Sequence, residues 1–171
     1  NISDDFAPHL ELFKHTAELA NLFGTKHIRL FSFYPPEGKT PDEVRDETFE
    51  RLAAFDKAGQ AAGVLSCHEN EKDIYGDLAP RCLDILENFP SFAGIFDFAN
   101  YVQCGQDTLA AWELLRDNTH YFHIKDALKD GRVVPVGEGD GNVYDILKQA
   151  AAKPGRCFLT LEPHLAVFDG F

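Results

Sequence analysis

Four side chains of this 171-residue chain have the type and spacing to hold a cation together: Glu69, Asp97, His123 and Glu162. Each stands where a short apolar, β-favouring run gives way to polar residues, and successive members lie roughly one strand-plus-helix unit apart. Three carboxylates and one imidazole make a hard oxygen-and-nitrogen donor set suited to Mn²⁺, Mg²⁺ or Co²⁺, with Zn²⁺ also within its range. Such a set leaves coordination positions for a substrate's oxygens. A single acidic residue at a strand end is more often a helix N-cap or a solvated loop charge. Four in the same relative place call for a shared role.

The elements that must carry them alternate along the whole chain. Phe6, Leu10, Phe13, Ala17 and Ala20 recur at helical spacing between Ser3 and Gly24, which predicts a first helix closed by the glycine. Thr40-Pro41-Asp42-Glu43 has the pattern of a capping box and opens a helix predicted to run to Ala62, ended by Gly63. Further helices are predicted over 77–88, 106–117 and 142–152, and strands over His27–Phe33, Val64–His68, Phe92–Phe96, Tyr121–Ile124 and Cys157–Leu161. This alternation, with strands apolar throughout, predicts an α/β fold with a parallel sheet covered by helices. A doubly wound dinucleotide-binding sheet would carry a Gly-rich turn after its first strand, but Pro35-Pro36 and Glu69-Asn70-Glu71 occupy the first two such loops. A (β/α)8 barrel remains, and in a barrel the C-terminal strand ends converge on one face.

Composition narrows the function. The chain carries 16 Lys and Arg against 28 Asp and Glu, a formal net charge of -12, so it has no basic footprint for nucleic acid or an anionic membrane. No apolar run approaches the roughly 18 residues of a membrane span. The first residues, Asn1-Ile2-Ser3-Asp4-Asp5, lack the basic start and apolar stretch of a signal peptide, so a cytoplasmic location is the default expectation. Cys67, Cys82, Cys104 and Cys157 form no C-x-x-C pair and read as reduced, mostly buried thiols. The sequence contains no Met, as expected of a piece of a longer translated protein.

The runs Cys67-His68-Glu69-Asn70-Glu71, Phe96-Asp97-Phe98-Ala99-Asn100, His123-Ile124-Lys125-Asp126, Gly137-Glu138-Gly139-Asp140-Gly141 and Leu161-Glu162-Pro163-His164 resemble those of the xylose isomerase-like TIM-barrel superfamily. Within it they are most similar to the sugar phosphate isomerase/epimerase group, which includes tagatose 3-epimerase and inosose dehydratase. The resemblance runs from the strand at His27 to the end of the chain. It implies that Glu69, Asp97, His123 and Glu162 ligate a divalent metal, with Glu69 and Glu162 on opposite sides of a small carbohydrate substrate as the proton-transferring pair. The implied activity is a metal-dependent isomerase or epimerase working through a metal-stabilised enediolate. A dehydratase of the inosose or dehydroshikimate type and a non-catalytic sugar-binding barrel are the alternatives. An apurinic-site endonuclease, on the same barrel, would need more histidines and a basic face. Self-association is left open.

Four further residues are candidates for substrate contact. Many relatives have a His three residues after the metal-binding Asp; here the position is Asn100, which can orient a hydroxyl but cannot titrate near neutrality, or which simply starts an Asx turn. Lys125 shares a strand face with His123 and either contacts a substrate oxygen or pairs with a strand-end carboxylate. His68 alternates with Glu69 and starts toward the helix layer, with a supporting role beside the site as the functional reading. His164 follows Pro163 near the strand end. Gly137 to Gly141 reads as a tight turn closing the site rather than a phosphate cradle, because Glu138 and Asp140 would repel phosphate. The five strands fall short of a barrel of about 250 residues. The expectation is therefore one barrel domain over residues 1–171, with the five C-terminal strands but without the N-terminal strands or the last helix.

Overall fold

Helices begin and end here where short-range chemistry dictates. In the computed structural model, which describes residues 1–165, the Asp5 carboxylate accepts the Ala7 N–H to open α1 (Phe6–Phe23), and Gly24 closes it at φ +73°. Half of the capping box forms: the Glu43 carboxylate accepts the Thr40 N–H at 2.8 Å, but the Thr40 hydroxyl donates to the same carboxylate at 2.9 Å and the Glu43 N–H donates to the Thr40 carbonyl. A single 3-10 turn, Asp42–Val44, follows, and then α2 over Arg45–Ala62. The remaining helices are α3 (Ala79–Asn88), α4 (Phe98–Gln103), α5 (Thr108–Leu115) and α6 (Val143–Ala151).

Among the described residues, five strands form one parallel sheet in sequential order: β1 (His27–Leu30), β2 (Leu65–Glu69), β3 (Ala93–Asp97), β4 (Thr119–Ile124) and, last in the chain, β7 (Phe158–Leu161). The short strands β5 (Asp126–Ala127) and β6 (Val133–Val134) form a separate antiparallel ribbon. Sequential parallel order is what an uninterrupted strand–helix alternation produces. The sheet curls into a half-barrel, and the rings of His27 and Phe158, on its two edge strands, approach to 4.4 Å between centroids.

Two expectations need correction. The first strand stops at Leu30 rather than Phe33, because pairing with β2 ends at Leu30↔His68; beyond it Phe33 turns into the core. The sequence pattern also missed α4 and the β5–β6 ribbon, both too short to show a periodicity. The thiols are only partly as expected: Cys67 and Cys82 are buried, Cys104 is half-buried and Cys157 is exposed.

The core lies between the sheet's convex face and the helices. Phe96, Phe98, Tyr101, Trp112 and Phe122 pack there, with Phe98 stacked on Phe122 at 5.8 Å and the Trp112 N–H donating to Gln149 Oε1. Each such side chain contributes roughly 1.5–3 kcal/mol by leaving water. A second small cluster on the same sheet, Cys67, Ala93 and Ile95 with Leu65 and Tyr121 against it, anchors the strands that carry the site. No helix among the described residues is long and apolar enough to cross a membrane.

Candidate metal centre

Glu69 and Asp97 are the last residues of β2 and β3, His123 is the penultimate residue of β4, and Glu162 follows directly on β7. Register makes these ends coincide: Asp97 pairs with His123, and His123 with Thr160, two residues before Glu162. One ligand atom from each of the four lies within 4.8 Å of all the others. The His123 Nδ1 is 2.8 Å from Glu69 Oε1 and 3.2 Å from Glu162 Oε2, so the imidazole sits between the two glutamates. Glu69, Asp97 and His123 are buried, and the Glu162 side chain is about a third exposed.

Three carboxylates this close repel one another unless positive charge intervenes. Burial alone would depress His123, but the hydrogen bond and charge of Glu69, with Glu162 and Asp97 behind, carry it above its ordinary value. Burial pushes Asp97 up to about 6, against the pull of Lys125 and of the Asn100 N–H. The cluster thus favours holding protons, and a divalent ion would replace them. The residues fit such an ion. Glu69 Oε2 is buried with no hydrogen-bond partner, its nearest cation being Arg29 Nε at 3.6 Å. Asp97 Oδ2 faces the Lys125 ammonium at 3.0 Å without hydrogen-bond alignment. A buried carboxylate oxygen left without a hydrogen bond, as Glu69 Oε2 is, is costly, and a cation is what would satisfy it.

Asp97 is both a member of this cluster and a helix cap: its Oδ1 accepts the Asn100 N–H at 2.8 Å and opens α4. Asn100 is fully buried; its amide donates to the Asn70 carbonyl at 2.8 Å and its Oδ1 accepts from Lys125 Nζ at 3.0 Å. Lys125, also buried, therefore has both Asp97 and Asn100 as partners. The His68 ring lies against Gly76, on the other side of β2 from Glu69, and burial holds its value down to about 4. His164 is exposed, with Nε2 3.6 Å from Glu162 Oε1.

The glycine loop closes on a side chain. The N–H groups of Gly137, Gly139 and Gly141 all donate to the Asp126 carboxylate, at 2.9, 3.1 and 3.0 Å. A Cβ at Gly139 or Gly141 would collide with Asp126 Oδ1, so this nest of N–H donors admits only glycine around its internal anion. Asn70 and Asp126 stand in the runs that carry the family resemblance but have no role assigned to them there, and Arg29 is in none of them. Their partners lie far along the chain, and nothing local marks them.

A model of the xylose isomerase-like TIM-barrel family matches residues 3–166. No curated protein sequence matches the chain. Among solved structures the chain is similar to the probable 3-DHS dehydratase AsbF involved in petrobactin synthesis from Bacillus anthracis, with a TM-score of 0.80 and 22% identity over 94% of this chain and 65% of that one. It is similar to a xylose isomerase-like TIM barrel protein from Mycobacterium smegmatis in complex with magnesium, with a TM-score of 0.74 and 17% identity over 91% of this chain and 60% of that one. It is also similar to a D-allulose 3-epimerase from Methylomonas sp. in complex with D-allulose, with a TM-score of 0.73 and 15% identity over 95% of this chain and 59% of that one. At these identities the likeness is one of fold, and the chain spans less than two thirds of each.

Proposed function

The chain belongs to the xylose isomerase-like TIM-barrel family, and from that premise we propose that it is a divalent-metal-dependent isomerase or epimerase of a sugar or sugar phosphate. The observation that carries the proposal is the convergence of one donor atom each from Glu69, Asp97, His123 and Glu162 within 4.8 Å at the ends of four adjacent parallel strands. These four would hold the ion, with Mn²⁺, Mg²⁺ or Co²⁺ matching the donor set and Zn²⁺ within its range. When bound, the ion would polarise a substrate carbonyl and its neighbouring hydroxyl and so acidify the C–H between them.

The chain's own part is to move the proton. Glu69 and Glu162 reach His123 Nδ1 from different strands, and in this reading they flank the reacting carbon of a bound substrate. One removes the proton and the other returns it. Return to the opposite face of the same carbon is epimerisation, and return to the neighbouring carbon is isomerisation. Loss of a β-hydroxyl instead would make the enzyme a dehydratase. His164, exposed beside Glu162, is the group proposed to meet a substrate hydroxyl from the open side. Lys125 and Asn100 would act from the buried side, through their contacts with Asp97, and His68 through its packing under β2.

The test is a screen of ketoses, ketose phosphates and inososes with Mn²⁺-loaded protein in deuterated water, scored by NMR for C–H exchange and for product. Mn²⁺-dependent exchange with an epimer or isomer as product supports the proposal. An unsaturated product moves it to the dehydratase reading, and no exchange with any class by Mn²⁺-loaded protein contradicts it.

A further inference from the structure

Beyond the four donors, the backbone that presents Asp97 is held by a side chain with no ligand role of its own. The β2–β3 ladder has its last register pair at Glu69↔Ile95. One residue further, Asn70 continues it by other means: its Oδ1 accepts the Asp97 N–H at 2.9 Å, and its Nδ2 donates to the Asp97 carbonyl at 3.0 Å. A side-chain amide offers one acceptor and a donor group in the same plane, as a peptide unit does, so Asn70 stands in for the missing strand. Asn70 is itself 1% exposed, and its own carbonyl accepts the Asn100 amide at 2.8 Å. Asn100 in turn accepts from Lys125, which faces Asp97 Oδ2, and the circuit closes on the residue where it began.

We infer that Asn70 is a positioning residue that ties the backbone of Asp97 to the strand end bearing Glu69 and so sets the spacing of two donors in the cation site. Glu69 is the preceding residue, so the clamp connects neighbouring ligands from neighbouring strands with no flexible segment between them. No other natural side chain reproduces it: Asp has no donor for the Asp97 carbonyl, and Gln is one methylene too long for the same pair of contacts. Supporting groups of this kind typically change metal affinity by about 10- to 100-fold when removed.

The inference rests on the cation-site reading above, and the experiment separates the two. Mn²⁺ affinity is measured by calorimetric titration of the unmodified chain and of Asn70→Ala, Asp97→Asn and the double variant. The folded state of each is checked by a cooperative urea transition without metal. Asn70→Ala is expected to weaken Mn²⁺ binding about 10- to 100-fold, and in the Asp97→Asn background to weaken it no further, because its effect passes through the Asp97 carboxylate. If Asn70→Ala does not fold, the nearly isosteric Asn70→Asp takes its place in both backgrounds. It adds negative charge near the ion, so weaker Mn²⁺ binding with Asp97 present supports positioning, and unchanged or tighter binding overturns it. Affinity within twofold of the unmodified chain in a folded Asn70→Ala variant, or an equal loss in both backgrounds, overturns the role of Asn70 alone. Failure of the unmodified chain to bind Mn²⁺ overturns the cation site and this inference with it.

Discussion

At the ends of β2, β3 and β4 the site residues are held by strands on both sides, whereas at the end of β7 the described residues supply one neighbouring strand, β4, to Glu162. Asp97 has its backbone clamped by Asn70, one carboxylate oxygen committed to capping α4 and the other facing Lys125. Among the described residues Glu162 follows a strand paired with β4, with its N–H donating to the Ile124 carbonyl and its side chain about a third exposed. Three of the four donors are thus buried in the framework, and the fourth side chain is about a third exposed.

The largest expected effect falls on both ends alike. Glu69→Gln and Glu162→Gln keep shape and one ligating oxygen but lose the basic carboxylate, so each is expected to slow substrate–solvent proton exchange by about 10² to 10⁴. Near-normal exchange in both variants, measured on metal-loaded protein, would remove the glutamates from the mechanism. Metal affinity should separate the two ends: Asp97→Asn is expected to raise the Mn²⁺ Kd more than Glu162→Gln, since water can replace a donor at the exposed position. The reverse order in a titration would contradict a larger share of the affinity for the buried donor.

Glycine substitutions sharpen the contrast in stability. Gly76 has φ +125°, and a Cβ there would lie 2.5 Å from His68 Cε1, under the strand that carries Glu69. Gly155, ahead of β7, has φ +109° but nothing within 4 Å of a Cβ. Gly76→Ala combines backbone strain with overpacking and is expected to cost about 3 kcal/mol or more, against about 1–3 kcal/mol for the strain alone at Gly155→Ala. Equal losses by urea denaturation would contradict the difference in packing.

The pH dependence is smaller per unit and has a definite sign. The folded value of Asp97, near 6, exceeds the roughly 3.9 of an unfolded aspartate. Through that window the folded chain keeps a proton that the unfolded chain has released, so metal-free stability falls as pH rises. His123, also raised, contributes stability that is full below about 6.5 and lost as pH rises through its folded value. Each proton accounts for at most about 1.4 kcal/mol per pH unit. Mn²⁺ competes with both protons, so the rise in Tm on adding Mn²⁺ is expected to grow between about pH 5 and pH 8. An increment independent of pH would show that these groups do not meet the ion.

The contrast between the two ends also explains what could be read from the chain. The repeating strand and helix runs gave away the parallel sheet and its sequential order, because each depends on residues a few positions apart. The four donors were legible because register places strand ends together once the sheet is parallel. The clamps were not: Asn70 reaches Asp97, and Asp126 reaches Gly137, Gly139 and Gly141, across distances in sequence that no local pattern encodes. Asn100 and Lys125 each had two open readings, and the geometry pairs them with one another beside Asp97. His68 starts toward the helix layer as alternation requires, but its packing against Gly76 depends on a loop whose path the sequence does not reveal.

The central claim is that Glu69, Asp97, His123 and Glu162 surround one divalent cation, and a crystal grown with Mn²⁺ tests it most directly. Anomalous diffraction at the manganese edge is expected to give one peak with a donor atom of each residue at about 2.0 to 2.4 Å. A peak elsewhere, or well-ordered density for these four side chains around no ion at millimolar Mn²⁺, would contradict it.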